Sequence, residues 1–243
     1  MNLIQVCSDI HLEYKDISST SFDKIIIPNA ELLVLAGDIG NPFENIYEEF
    51  ISHCSKLFIH VLIIAGNHEY YNNNYHLVSK KIQSICNKYN NIHYLDNKTF
   101  EYEGIIFIGT ILWSYIPNHI TIYDLHAMND FKKIRNMTLE LYKQLFEINL
   151  NFLEEKLEEY KNQECIILTH HSPSYNCLLK DFVTEKLDCC FASDLDYLFL
   201  KYKNLLGWIY GHIHYNYKEY NQNYFIYSNC YRTKDYDNKG CPL

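Results

Sequence analysis

Five short polar islands hold the side chains able to do chemistry. They are Asp9-Ile10-His11, Gly37-Asp38, Gly66-Asn67-His68-Glu69, Thr169-His170-His171 and Gly211-His212-Ile213-His214. Together they offer carboxylates, imidazoles and one carboxamide, the donor set that a pair of divalent metal ions needs. A carboxylate has two oxygens, so one such residue can serve two cations and offset their repulsion. A carboxamide adds a neutral oxygen and leaves the site positive toward a phosphate. Imidazole donors suit Mn, Fe, Zn, Co or Ni better than Mg or Ca. Any single island is a common pattern; all five, each behind an apolar run, form a specific one.

Those runs must position the islands. Leu3 to Val6, Leu32 to Ala36, Val61 to Ala65, Ile166 to Leu168 and Trp208 to Tyr210 are short, apolar and partly β-branched, as buried strands are. Side chains at the carboxyl ends of several strands converge on one sheet edge, where α/β proteins place their sites. The first strand is expected to end at Asp9, where a bend would aim Asp9 and His11 together. Strands over Leu3–Val6, Leu32–Ala36 and Leu57–Ile64 alternate with helices over Phe43–Lys56 and Tyr75–Tyr89. Ile46, Phe50 and Ile51 mark the buried face of the first helix, and Val78, Ile82 and Ile85 that of the second. This is the pattern of βαβ crossovers and a largely parallel sheet.

From Ile92 to Ile111 short strands crowd around Gly104, which suggests a second, more antiparallel sheet. Met137–Tyr160 reads as a long helix with Leu141, Leu145, Ile148, Phe152 and Leu157 inside and a Glu-rich solvated face. Cys165–Leu168 and Leu206–Tyr210 return to strand, and Tyr215–Tyr220 with Tyr224–Ser228 forms a closing hairpin. Trp113–Asn136 and Ser172–Ser193 fit neither periodicity. Irregular segments of that length often serve as binding loops, so both are expected to border the site.

Bulk properties narrow the function. The length of 243 residues suits one α/β domain over 1–243, and 48% hydrophobic residues supply a sizeable core. The 21 basic against 30 acidic residues give a formal net charge of −9, which disfavours nonspecific binding to nucleic acid or an anionic membrane. The 9 cysteines are odd in number and contain no Cys-x-x-Cys, so buried thiols in a reducing compartment are expected, the adjacent Cys189-Cys190 included. The sequence shows no secretory leader and no apolar run of roughly 18 residues, so a cytoplasmic location is expected. The 23 tyrosines accompany a general Asn, Ile and Lys bias and are not read as a base-stacking platform.

From Asp9 to His214 the chain resembles the calcineurin-like metallophosphoesterase superfamily, with every signature position filled. The resemblance implies a four-layer αββα sandwich, two mixed β-sheets flanked by helices. It implies that Asp9, His11, Asp38 and His214 hold one divalent ion, and that Asp38, Asn67, His170 and His212 hold a second, with Asp38 bridging. Mn2+ is the first choice, and Fe, Zn, Co or Ni also fit. Such a pair activates a shared water and neutralises charge developing at phosphorus during in-line attack. His68 is the implied proton donor to the leaving alkoxide. His171 is assigned a supporting or substrate-contacting role beside His170. Glu69 is expected to cap the following helix or orient its turn. The other histidines are expected to be surface or core residues, with His119 and His126 the exceptions to consider because they lie in the Trp113–Asn136 segment.

One departure bears on the substrate. Protein serine/threonine phosphatases of this superfamily continue after the bridging aspartate as Gly-Asp-x-Val-Asp-Arg-Gly, whereas here Gly37-Asp38-Ile39-Gly40-Asn41-Pro42 follows. The phosphate-gripping Arg is absent, and Asn41 stands where the acid pairing with the catalytic His would be. Only Arg135 and Arg232 occur in the chain, so a bidentate monoester clamp is hard to assemble. The Ser8-to-Glu13 and Gly66-to-Tyr71 runs look like small stand-alone microbial-type phosphoesterases, which points to a small phosphorylated substrate, a phosphodiester first. A nuclease and a protein phosphatase are the catalytic alternatives. A non-catalytic scaffold would be expected to have lost ligands, and none is lost. Trp113, Tyr115, Tyr123 and Phe131 are candidates to wall the pocket, and Asn129-Asp130 to reach it.

Overall fold

Each apolar run ahead of an island forms a strand, and the strands divide between two sheets packed face to face. In the computed structural model, residues 3–15, 21–179, 187–231 and 241–242 are described, with the backbone alone for Leu3, Cys241 and Pro242. Arg232 and residues 180–186 of the second irregular segment lie outside the described residues. Strands β1 (Leu3–Cys7), β2 (Leu32–Ala36), β3 (His60–Ile64) and β4 (Ile92–Tyr94) pair in parallel in that order. The second sheet contains β5 (Lys98–Tyr102), β6 (Ile105–Gly109), β7 (Glu164–Leu168), β8 (Leu205–Tyr210), β9 (Tyr217–Tyr220) and β10 (Phe225–Ser228). Its spatial order is β5-β6-β7-β8-β10-β9, parallel in the middle and antiparallel at both margins. A short β11 (Cys241–Pro242) adds antiparallel to β1 at the edge of the first sheet.

The helices are α1 (Phe22–Ile25), α2 (Asn45–Leu57), α3 (Tyr75–Cys86), α4 (Asp130–Lys133), α5 (Leu139–Glu159) and α6 (Tyr197–Lys201). Alternation along the strands separates two cores. Val6, Val34, Ile64, Ile166 and Ile209 meet between the sheets, while Leu33, Leu35 and Ile63 face outward onto the helical layer with Phe50 and Ile82. The architecture is therefore the αββα sandwich. Among the described residues, no helix is long and apolar enough to cross a membrane. The eight cysteines with described side chains are buried, and none of them is joined in a disulfide among the described residues.

Several boundaries differ from expectation, each for a local reason. Strand β1 ends at Cys7 because Asp9 already has left-handed backbone, φ 55°. Leu57 closes α2, and β3 begins only at His60. Ile92–Tyr94 completes the first sheet, and the second is mixed because β6, β7, β8 and β10 are joined by crossovers. Helix α5 buries Tyr142, Leu145, Phe146, Asn149, Leu153 and Leu157, while Ile148 is 54% exposed and Leu141 and Phe152 are half-buried. Two polar residues carry that face: Tyr142 shares a hydrogen bond with the Ser114 hydroxyl at 2.9 Å, and the Asn149 amide donates to Asn97 Oδ1 at 3.1 Å. A period counted on apolar residues alone slides past them.

Candidate metal centre

The islands follow β1, β2, β3, β7 and β8, and the sandwich brings all five to one edge. Backbone geometry marks the spot. Asp9, His11, Asp38, His212 and His214 all have φ between 52° and 69°, a region that non-glycine residues enter rarely and that clusters at functional sites. Asp and His tolerate it better than branched residues, so ligand type and turn requirement agree. Neighbouring glycines permit the close approach. A side chain at Gly37 (φ 86°) would collide with the His170 ring, and one at Gly66 with the Asp38 carboxylate.

Among the described residues three groups of donor atoms each lie within a 4.8 Å span: two built from the islands alone, Asp9, His11, Asp38 and His214, and Asp38, His170 and His212, and a third of His11, Glu13 and His68. Asp38 belongs to both island groups. Its Oδ2 lies 3.7 Å from His11 Nε2 and its Oδ1 lies 3.4 Å from His170 Nε2, one oxygen toward each group. In the first, His11 Nε2 and His214 Nε2 are 3.1 Å apart, and His214 Nε2 is 3.4 Å from Asp9 Oδ1. In the second, Asn67 Oδ1 lies 3.1 Å from His170 Nε2, which adds the carboxamide to the set.

Supporting hydrogen bonds leave the nitrogens free that an ion would use. His170 Nδ1 donates to the Ala36 carbonyl at 2.9 Å, so Nε2 faces inward. Glu13 Oε1 accepts from His11 Nδ1 and from His68 Nδ1, both at 3.0 Å, and so orients a proposed ligand and the proposed acid at once. Asp130 Oδ1 accepts from Asn67 Nδ2 and from the Tyr71 hydroxyl, both at 2.8 Å, turning the Asn67 carbonyl toward His170. Glu69 accepts from the amides of Asp38 at 3.0 Å, Ile39 at 2.7 Å and Gly66 at 2.8 Å, tying two islands together. It orients the turns and caps no helix.

The electrostatics fit cations. Burial would raise the Asp38 carboxyl, but His170, His68 and His11 outweigh it and hold the group well below the usual range. Burial lowers His170, yet Asp38 and Asp9 push it up to about 9. His171 falls to about 3 through burial and the neighbouring His170, and burial with His171 and His170 holds His212 well down. Burial and Asp38 drive Glu69 up to about 8 against its amide donors. His212 Nε2 is buried without a hydrogen-bond partner, an imidazole lone pair aimed into the carboxylate-bearing cluster. The unpartnered buried imidazole beside two buried carboxylates fits a divalent ion.

Other expected site residues lie elsewhere. His171 packs behind His212, ring centroids 4.2 Å apart, and neither of its nitrogens has a partner. Asn41 turns away, donating to Glu44 and accepting from the Phe43 amide, because Glu13 supplies the acid beside His68. A cavity of about 500 Å³ opens over Asp38, Asn67, His68, His212 and His214. Trp113 is buried against Tyr70 and Tyr142, Tyr115 and Phe131 pack on α5, and Tyr123 is 84% exposed, so none of the four walls it. Both irregular segments do border it, through Met128 and Asn129 and through Leu178, Leu179 and Phe191.

A family model described as calcineurin-like phosphoesterase matches residues 3–216. The chain belongs to the calcineurin-like phosphoesterase family. An uncharacterized protein of Acanthamoeba polyphaga mimivirus, L509, is 31% identical over 257 residues, 94% of this chain and 88% of that one. The solved phosphopantetheinyl hydrolase PptH of Mycobacterium tuberculosis superposes with TM-score 0.72 at 14% identity, covering 95% of this chain and 90% of that one. A dimetal phosphatase from Danio rerio gives TM-score 0.57 at 13% identity, covering 93% and 86%. At such identities these two establish a shared fold. Family and geometry together make the cluster a dinuclear divalent metal site of a phosphoric ester hydrolase.

Proposed function

We propose that this calcineurin-like phosphoesterase hydrolyses a phosphodiester of a small organic substrate. Asp9, His11, Asp38 and His214 hold one ion; Asp38, Asn67, His170 and His212 hold the other. Mn2+ is the first choice by donor set. When bound, the ions supply an acidified water and positive charge beside the phosphoryl oxygens. His68 protonates the leaving oxygen. Its Nδ1 is engaged by Glu13, so Nε2 is the nitrogen left to donate, and Asp38 and Glu13 raise its pKa against the effect of burial. The Tyr71 ring lies 4.3 Å from His68 and restrains it.

The observation that carries the diester reading is the cavity lining: among the described residues, no Lys or Arg contributes to it. A monoester dianion is ordinarily gripped by such a side chain, whereas a diester monoanion leaves less charge to neutralise. Eight buried cysteines with no disulfide among the described residues support work in a reducing, cytoplasmic setting. The test compares bis(p-nitrophenyl) phosphate, p-nitrophenyl phosphate, cyclic nucleotides, single-stranded DNA and a phosphopeptide on Mn2+-loaded protein. A higher kcat/KM on the diester is expected; preference for the monoester, the phosphopeptide or DNA overturns the assignment.

A further inference from the structure

The proposed chemistry uses only some of the residues that line the 500 Å³ cavity. Beside the donor groups the lining carries Met128, Leu178, Leu179, Phe191 and Ile213, with Tyr71, Ala127, Asn129 and Tyr215 completing it. The first five come from three separate stretches of chain, so the apolar character belongs to the assembled site. Phe191 is stacked on the ligand candidate His212, ring centroids 5.1 Å apart and 28° between planes, which makes the apolar surface continuous with the metal cluster. The volume lies within the range of small-molecule pockets, which combine apolar walls with a few convergent polar groups. A phosphoryl group seated beside the ions leaves most of it empty, and water over Met128, Leu178, Leu179 and Phe191 would face apolar side chains that offer it no hydrogen bond.

We infer that these apolar lining residues form a subsite for an uncharged, apolar arm of the substrate. The substrate class is then an amphiphilic phosphodiester: one negative charge at phosphorus and a hydrocarbon-rich ester arm laid along Phe191, Leu178, Leu179 and Met128. The inference rests on the phosphodiesterase reading for its chemistry, but the arm can be tested without turnover.

Mn2+-loaded protein is titrated calorimetrically with methyl, butyl and hexyl esters of methylphosphonate, and p-nitrophenyl alkyl phosphates of the same chain lengths are assayed beside them. Dissociation constants are expected to fall by up to about fourfold for each buried methylene, with KM following in the diester series. Met128→Ser and Leu179→Ser should flatten both trends; Leu179 is 42% exposed, so its replacement spares the fold. Affinity independent of chain length, or a trend that survives both substitutions, overturns the subsite. A persisting trend with phosphonates while no diester is cleaved keeps the subsite and removes the diesterase assignment.

Discussion

Asp9, Asp38 and His170 stand beyond strand ends, buried and fixed by hydrogen bonds, with the His212 ring buried beside them, whereas Met128, Leu178, Leu179 and Phe191 in the same cavity come from irregular chain and are half-buried or exposed. The strand-end wall depends on charge balance and a special backbone, so small changes should cost much. The loop wall depends on apolar area, which falls off gradually with each atom removed. On the proposed reading, reaction type and substrate choice are held by different parts of the fold and can vary separately.

Asp38→Asn tests the rigid wall hardest. It should lower the content of both ions, measured by elemental mass spectrometry, and reduce turnover by on the order of 10³ or more, beyond the loss of one preorganised donor. Unchanged stoichiometry would remove its bridging place. His68→Ala should slow turnover by roughly 10²–10⁴ with both ions retained; loss of the ions instead would make it a ligand. Asp130→Ala probes where the walls join, since α4 belongs to the loop side yet orients Asn67. Metal affinity should weaken by about 10–100-fold, as for other removed ligand supports, and equal affinity would detach the loop from the centre.

Glu13→Gln sharpens the contrast through pH. Histidine contacts outweigh burial and bring the Glu13 carboxyl from 4.5 down to about 2 in the folded protein. Its stabilisation is thus present above pH 4.5 and drains away as pH falls toward 2. In metal-free protein the variant should lose less stability across that window, read by thermal melting; equal acid sensitivity would refute the pairing. Tyr123→Ala sets the floor. At 84% exposure and outside the cavity, it should shift stability by no more than about 0.5 kcal/mol and leave KM unaltered. A raised KM would extend the loop wall outward.

The rigid wall was legible in the sequence because each of its residues follows an apolar run, and strand ends converge by geometry. The loop wall was not, since no period tells which of Trp113, Tyr115, Tyr123 or Met128 turns inward. Glu13 was within reach, two residues after His11, but only the fold sets it beside His68, 55 positions on. Asp130 could be placed near the site, while its hold on Asn67 depends on tertiary contact. The inner face of α5 was misjudged where Tyr142 and Asn149 bury polar atoms in hydrogen bonds.

The left-handed backbone at Asp9, His11, Asp38, His212 and His214 has a practical corollary. Glycine is the residue most at ease in that conformation, so replacing one of these side chains by glycine disarms the protein while relieving the main chain. Alanine at the same position keeps the torsional burden and abolishes the ligand. An inert variant is therefore better made with glycine, and a silenced version of this chain need not be a fragile one.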